Sequence, residues 1–596
     1  MKPAESWTNL VSMFFAQAEA RGEAPFLWAK RNGVYHALTW REAAVQVSGL
    51  ARGLRALGVE PGDRVVLVSE NRPEWPIADL AIMAAGGVTV PAYTTNTEKD
   101  HLHILADSGA KGAIVSTRRL ARNLLPALLR SPESRFAVAL EDAGADGHAG
   151  RPLHSWAEVL DKGGAAHWNV VAEAERLGRG DLACLIYTSG TGGTPKGVML
   201  SHGAILHNCA GARDALEELG LGDEVFLSFL PLSHSYEHTA GQFFPISIGA
   251  QIYYAEGVET LGTNMAEARP TIMTAVPRLY EMLHSRIVRG VEKEGGLKET
   301  LFKAALDLGR RRYGDPAGLG LADRLADAVL DRLVRDKVRS RFGGRLKALV
   351  SGGAPLNPDV GVFFTALGLR ILQGYGQTES APVVSVNRPL GPRMHTVGPP
   401  LKDVEVRIAQ DGEILVRGEL VMLGYWGDVE SSRQTVKDGW LHTGDIGEFD
   451  ADGHLRITDR KKDIIVNSGG DNVAPQRIEG FLCLEPEIGQ AMVFGDKRPH
   501  LVALLVPDAD WLKTWADARG KMPDLRLLAD DDDLRKTLGA AVERVNRTLG
   551  PIEKVRRFLV ATEPFSIENG EMTPTLKIRR HVIKARYGTA LEKLYG

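Results

Sequence analysis

Cysteine is scarce in this chain. Cys184, Cys209 and Cys483 stand far apart in 596 residues, which excludes a disulfide framework and a closed zinc site and fits a reducing compartment, the cytoplasm by default. Neither sign of charge is in excess. Lys and Arg number 72 against 75 Asp and Glu, a net charge of -3, so no global field draws nucleic acid or an anionic membrane, and none of the former is expected as a partner. No window approaches the run of about 18 apolar residues that a spanning helix needs. Peripheral contact at the inner face of a membrane, like a homodimer, stays open. Lys2 is the only basic residue before Glu5, and the cluster Leu10, Val11, Met13, Phe14 and Phe15 is too short for a signal-peptide core. It reads as a short amphipathic helix packed on the body. Repeats and low-complexity tracts are missing too.

The length exceeds what one hydrophobic core usually supports, so at least two domains are expected. From about residue 40, helical patterns such as Trp40 to Leu57 alternate with short apolar runs such as Val65 to Val68 and Ala113 to Val115. That alternation predicts an α/β fold, mixed sheets covered by helices. A helical insertion is expected at about 285–343, where Leu321, Leu325, Val329 and Leu333 recur every four residues with no strand signal. Its triplet Arg310 to Arg312 could meet lipid headgroups, although a short charge run is usually a solvated helix face. After His442 the chain turns polar and glycine-rich. We therefore expect a large domain over 1–459 and a small, mobile α+β domain over 460–596, hinged near Lys462. The run Asp530 to Asp533 suits the N-terminus of the helix that follows.

Between two apolar strands lies Tyr187-Thr-Ser-Gly-Thr-Gly-Gly-Thr-Pro-Lys196. Thr188, Ser189, Gly190, Thr191, Gly192, Gly193 and Thr194 offer backbone N–H groups and hydroxyls to an anion, with Lys196 as a point charge, which suits a polyphosphate. The common NTPase loop does not fit, because Gly197 occupies its required Ser/Thr position. The dinucleotide fingerprint fails as well, with Pro195 at the place of its third glycine. A plain hairpin turn is the competing reading, yet it would not need three Thr, one Ser and a Lys.

This segment, YTSGTGGTPKG, closely resembles the signature of the adenylate-forming superfamily, which includes acyl-CoA synthetases, peptide-synthetase adenylation domains and firefly luciferase. The resemblance implies that the loop holds the β- and γ-phosphates of ATP and that Thr188 helps coordinate Mg²⁺. Ser351-Gly-Gly-Ala-Pro355 is weak evidence alone; within the resemblance, Gly353, Ala354 and Pro355 pack against adenine. Gly374-Tyr-Gly-Gln-Thr-Glu379 is similar to the family motif in which Tyr375 stacks on the base, Thr378 meets the α-phosphate and Glu379 binds Mg²⁺. Gly374, Gly376 and Gln377 complete it. Asp445 of His442-Thr-Gly-Asp445 would accept both ribose hydroxyls, as a carboxylate's two oxygens allow, and Arg460 would reach the nucleotide. Lys577 of Met572-Thr-Pro-Thr-Leu-Lys577 matches the adenylation lysine, bridging the substrate carboxylate and the α-phosphate. The small domain would then swing in for adenylation and away for thioester formation, with Ser468, Gly469 and Gly470 helping to form the pantetheine channel of CoA.

His234-Ser-Tyr-Glu-His238 admits a different class, since His-x-x-Glu-His is the zinc pattern of one group of metalloproteases. The longer run Leu230 to His238 resembles the acyl-pocket motif of long-chain acyl-CoA synthetases. That places His234 at the carboxylate end of the pocket, with Tyr236 beside it and His238 where some bacterial members carry a gating tryptophan. Ala275-Val-Pro-Arg-Leu-Tyr-Glu281 and Pro91-Ala-Tyr-Thr-Thr-Asn-Thr97 point the same way. The expectation is a long-chain fatty acid–CoA ligase that uses ATP, Mg²⁺ and CoA. A fatty acyl-AMP ligase serving a carrier protein is the alternative, and a zinc hydrolase the remote one.

Overall fold

The computed structural model describes residues 6–143, 151–165, 168–188, 194–461, 463–469, 471–573 and 576–596. Two eight-stranded sheets dominate it. The inner strands of the first, Arg64–Val68, Val88–Pro91, Gly112–Val115 and Phe136–Ala139, pair in parallel. Their β-branched and small apolar residues are nearly all buried, as strands covered by helices on both faces require. One side of this sheet ends in an antiparallel hairpin of β1 (Leu182–Thr188) and β2 (Lys196–Ser201), joined by the two-residue strand Gly424–Tyr425.

In the second sheet the parallel strands β3 (Val225–Ser228), β4 (Ile272–Ala275), β5 (Ala348–Ser351) and β6 (Ile371–Gly376) lie side by side. Their C-terminal ends supply several of the motifs, as is usual for open α/β sheets. A five-stranded sheet follows, in which β7 (Trp440–Phe449) and β8 (Leu455–Arg460) pair antiparallel.

The cluster at Leu10 to Phe15 opens a helix, Leu10–Arg21, whose apolar side chains are buried. Helix α1 (Glu74–Ala84) is buried from Trp75 to Ala84 and packs against strands of the first sheet. Between β4 and β5 the chain is wholly helical: α2 (Pro277–Glu294), α3 (Gly296–Gly314), α4 (Leu321–Leu330), a π-helical turn Asp331–Arg335 and α5 (Asp336–Arg341). Asp531 caps the helix Asp532–Asn546 by accepting from the backbone N–H groups of Asp533 and Leu534, which explains the acidic run.

Residues from Ile465 onward build a hydrophobic core of their own. This unit is tied to the large domain by polar contacts. The Arg278 guanidinium donates to the Gly489 carbonyl at 2.5 Å, and Arg289 pairs with Asp508 at 2.7 Å. No helix among the described residues is long and apolar enough to cross a membrane.

Candidate active site

The glycine-rich loop is the tip of the β1–β2 hairpin. Ser189 to Gly193 lie outside the described residues, but both ends of the loop are placed: Thr188 stands opposite Lys196 in register. Gly197 is tightly enclosed, since a Cβ there would come within 3.2 Å of the Tyr187 ring and 3.3 Å of Trp426 Cβ. Tyr187 anchors the hairpin by donating to Asp107 at 2.6 Å. The Lys196 ammonium pairs with Asp428 at 2.9 Å, hydrogen-bonds Ser431, and lies 5.3 Å from the centre of the Tyr425 ring. Tyr425 in turn donates to Glu379 at 2.8 Å. Thr188, Lys196 and Glu379 therefore belong to one connected cluster. Its hydroxyl and carboxylate oxygens are the hard donors that Mg²⁺ prefers, so the residues present fit that ion.

A second group surrounds the C-terminal ends of β5 and β6. Tyr236 lies beneath the turn after β5: its hydroxyl donates to the Val350 carbonyl at 2.9 Å, and a Cβ on Gly352 would stand 2.9 Å from its ring. Gly353 holds a φ of +84° that favours glycine. With Ala354 it is half-buried, and Pro355 is exposed. At the end of β6, Gly376 passes so near Pro382 that a Cβ would sit 1.8 Å from the proline carbonyl oxygen. Tyr375, next to it, donates to Asp445 Oδ2 at 2.6 Å, while Arg460 Nε donates to Asp445 Oδ1 at 2.9 Å. Asp445 and Arg460 are cross-strand partners on β7 and β8, so the sheet register itself forms the pair. Gln377 donates to the Thr443 carbonyl at 3.4 Å. Ser351 and Gln373, neighbours across β5 and β6, each leave a buried side-chain oxygen without a partner among the described residues. Such orphaned groups suit a polar planar base.

Lys577 reaches this group from the small domain. A tight turn presents it: the Thr573 N–H donates to the Lys577 carbonyl at 2.8 Å, and the Lys577 N–H to the Thr573 hydroxyl at 3.0 Å. Burial, followed by the positive charge of Arg460, lowers its pKa to about 8, against the opposing pull of Asp445 and Asp463. Its charge also acts on His234, whose pKa is pushed down to about 3 by burial and then by Lys577. His234 Nδ1 accepts from the Tyr236 N–H at 3.2 Å, which leaves the proton of the neutral ring on Nε2. A single ammonium thus couples electrostatically to Arg460 and Asp445 and to His234. Next to His234, Ser235 shares a hydrogen bond of 3.0 Å with Thr378, joining the acyl and phosphate motifs directly.

The zinc reading is overturned. His234, Glu237 and His238 point to different partners: Glu237 accepts from the hydroxyls of Ser228 and Thr274, both at 2.6 Å, and His238 Nε2 meets Asp79 Oδ2 of α1 at 2.9 Å. Glu237 and His238 open a buried π-helix over residues 237–243, and each side chain is engaged by partners other than His234. No group of three potential metal ligands occurs among the described residues. Burial instead pushes the Glu237 carboxyl up to about 7, opposed by its two hydroxyl donors.

Ser468 and Gly469 lie in a turn organised by Asn467, whose side-chain oxygen accepts from the N–H groups of Gly469 and Asp471, both at 2.9 Å. Gly470 and Lys462 lie outside the described residues. Tyr425, Asp428 and Asp79 escaped sequence reasoning. They are remote from the motifs they serve, and no local pattern marks them.

Residues 14–426 match the family model described as AMP-binding enzyme, and residues 462–596 match that of the AMP-binding enzyme C-terminal domain. The chain belongs to the AMP-binding enzyme family. One relative within reach of this family member is the long-chain-fatty-acid–CoA ligase FadD15 of Mycobacterium bovis, 36% identical over 95% of this chain and 93% of that protein. Another is the peroxisomal long chain acyl-CoA synthetase 7 of Arabidopsis thaliana, 34% identical over 95% of this chain and 82% of that protein. Among solved structures, the adenylation–carrier didomain of a carboxylic acid reductase from Segniliparus rugosus, in complex with AMP, superposes with a TM-score of 0.80 at 22% identity, covering 100% of this chain and 83% of that one. At that identity the likeness concerns the fold.

Proposed function

We propose that this chain is an AMP-forming long-chain fatty acid–CoA ligase, which converts a fatty acid and ATP to acyl-AMP and pyrophosphate and then transfers the acyl group to CoA. The observation that carries the reading is the buried Lys577, which feels the charges of Arg460 and Asp445 and acts in turn on His234. The names of relatives that match along nearly the whole chain support the acid and the thiol.

In this account Asp445 accepts the ribose hydroxyls once its bond from Tyr375 is released. Gly353, Ala354, Pro355 and the Tyr375 ring bound the adenine. Thr188, Thr194, Lys196 and the intervening loop take the β- and γ-phosphates, which requires Lys196 to leave Asp428. Thr188 and Glu379 would hold Mg²⁺, which when bound offsets phosphate charge and stabilises the departing pyrophosphate. The substrate carboxylate is held between His234 and Lys577 and attacks the α-phosphorus. Lys577 supplies positive charge where negative charge accumulates, and Thr378, fixed by Ser235, meets the α-phosphate. The small domain, hinged near Lys462, then turns so that Ser468 to Gly470 border the CoA channel. We place the enzyme in the cytoplasm, in keeping with its three free thiols.

Pyrophosphate release across a fatty-acid series, with and without CoA, tests the reading. Acyl-CoA is expected when CoA is present. Acyl-AMP that stalls in the presence of CoA would assign the chain to the carrier-protein alternative.

A further inference from the structure

Helix α4 and the π-helical turn after it bury Leu330 and the charge of Arg335 and turn a stripe of leucines outward. Arg335 is fully buried. Its guanidinium donates to the carbonyls of Ala366 at 2.7 Å, Ala305 at 2.8 Å and Asp327 at 3.3 Å, and pairs with the Asp327 carboxylate at 2.7 Å. Leu321, Leu325, Val329 and Leu333, one turn apart on α4 and the π-helical turn that continues it, are instead 81, 72, 57 and 46% exposed. Ala322, Ala326 and Ala328 are exposed among them. A helix that serves only its own domain has the opposite polarity, and a continuous exposed apolar face marks an interaction surface.

The charges around this face have a sign. Residues 321–341 contain six basic and four acidic side chains. All four acids are occupied by arginines: Asp323 by Arg311 at 2.7 Å, Asp327 by Arg312 at 2.8 Å and by Arg335, Asp331 by Arg339 at 2.6 Å, and Asp336 by Arg339 at 2.5 Å. Arg311 and Arg312 of the basic triplet are thereby neutralised. Arg332 and Lys337 are exposed and make no ion pair among the described residues. Helical spacing sets Arg332 three residues from Val329 and Lys337 four from Leu333, at the border of the apolar stripe.

We propose that this face docks on an anionic lipid surface, with the leucines and Val329 entering the boundary between headgroups and acyl chains and Arg332 and Lys337 meeting lipid phosphates. An apolar helix face and free cations are the two signals that together sustain interfacial binding where either alone is marginal. A second copy of the chain would bring the same positive charge against itself, which disfavours self-association through this face.

Co-sedimentation of the full chain with phosphatidylglycerol/phosphatidylcholine vesicles, compared with phosphatidylcholine alone, tests the proposal. Binding is expected only with the anionic lipid. It should weaken at least tenfold in Leu321→Ser/Leu325→Ser/Val329→Ser and, separately, in Arg332→Glu/Lys337→Glu. Both variants change exposed side chains and should keep wild-type activity on a water-soluble acid, which verifies folding. Equal binding to neutral vesicles, or no binding by the wild type, overturns the proposal. A wild-type dimer in sedimentation velocity that the triple variant dissolves would assign the face to a second copy instead.

Discussion

Replacing Lys577 by alanine removes the charge that the docked small domain brings to the reaction centre. The magnitude follows from its surroundings. Its pKa is about 8 rather than 10.5, so without substrate the protonated lysine loses roughly 3 kcal/mol on entering the site, Asp445 and Asp463 offsetting only part of the desolvation, at 1.36 kcal/mol per unit. A substrate carboxylate beside a polyphosphate recovers that cost and strengthens as charge shifts in the transition state. Loss of one such preorganised donor lowers turnover by about 10²- to 10³-fold. Lys577→Ala should therefore slow acid-dependent pyrophosphate release by that factor, while thioester formation from supplied acyl-AMP changes less than about threefold if, as proposed, the small domain turns Lys577 away for that step. Rapid-quench assays of the two half-reactions give both numbers. Equal losses in both would refute the argument that one domain serves two poses.

Other consequences are as direct. Without substrates, docking of the small domain should be opposed in full below about pH 8 and favoured progressively as pH rises towards 10.5, since the docked lysine binds fewer protons over that range; interdomain fluorescence transfer reads it, and the opposite slope would contradict it. Asp445→Asn, which weakens charge-assisted bonds of about 1.5 to 3 kcal/mol, should reduce ATP affinity about 10- to 100-fold by calorimetry; unchanged affinity would remove Asp445 from the ribose. Gly376→Ala forces a Cβ against the Pro382 carbonyl and should cost roughly 3 kcal/mol of stability in a denaturant titration. Glu237, neutral when folded up to about pH 7, makes the native state bind more protons than the unfolded chain, so stability should fall by roughly 3 kcal/mol from pH 4.5 to 7. Glu237→Gln should flatten that fall, and an unaltered slope would show that Glu237 does not titrate there.

Much of this site was legible in the chain because its parts are short contiguous signatures. The hairpin loop, Gly374 to Glu379, Asp445, Arg460 and Lys577 each carry their own neighbours, and the α/β alternation follows from apolar runs at strand length. What could not be read depends on contacts between distant segments. Nothing local ties Asp79 to His238, Tyr425 to Glu379 or Asp428 to Lys196, and the π-helical winding at Glu237 is invisible to a pattern of spacings. The stripe Leu321 to Leu333 shows the limit of periodicity most clearly. A four-residue repeat reveals an apolar face, but only the exposure of these side chains beside the buried Arg335 shows that this face looks outward.

The central claim is that acid activation and CoA acylation occur in sequence on this chain. Incubating the enzyme with ATP, Mg²⁺ and a long-chain fatty acid, then adding CoA, tests it by mass spectrometry of the products. The account predicts acid-dependent acyl-AMP and pyrophosphate first, and conversion of that acyl-AMP to acyl-CoA and AMP on addition of CoA. Acyl-AMP that persists after CoA is added, or no pyrophosphate with any fatty acid in the series, would contradict it.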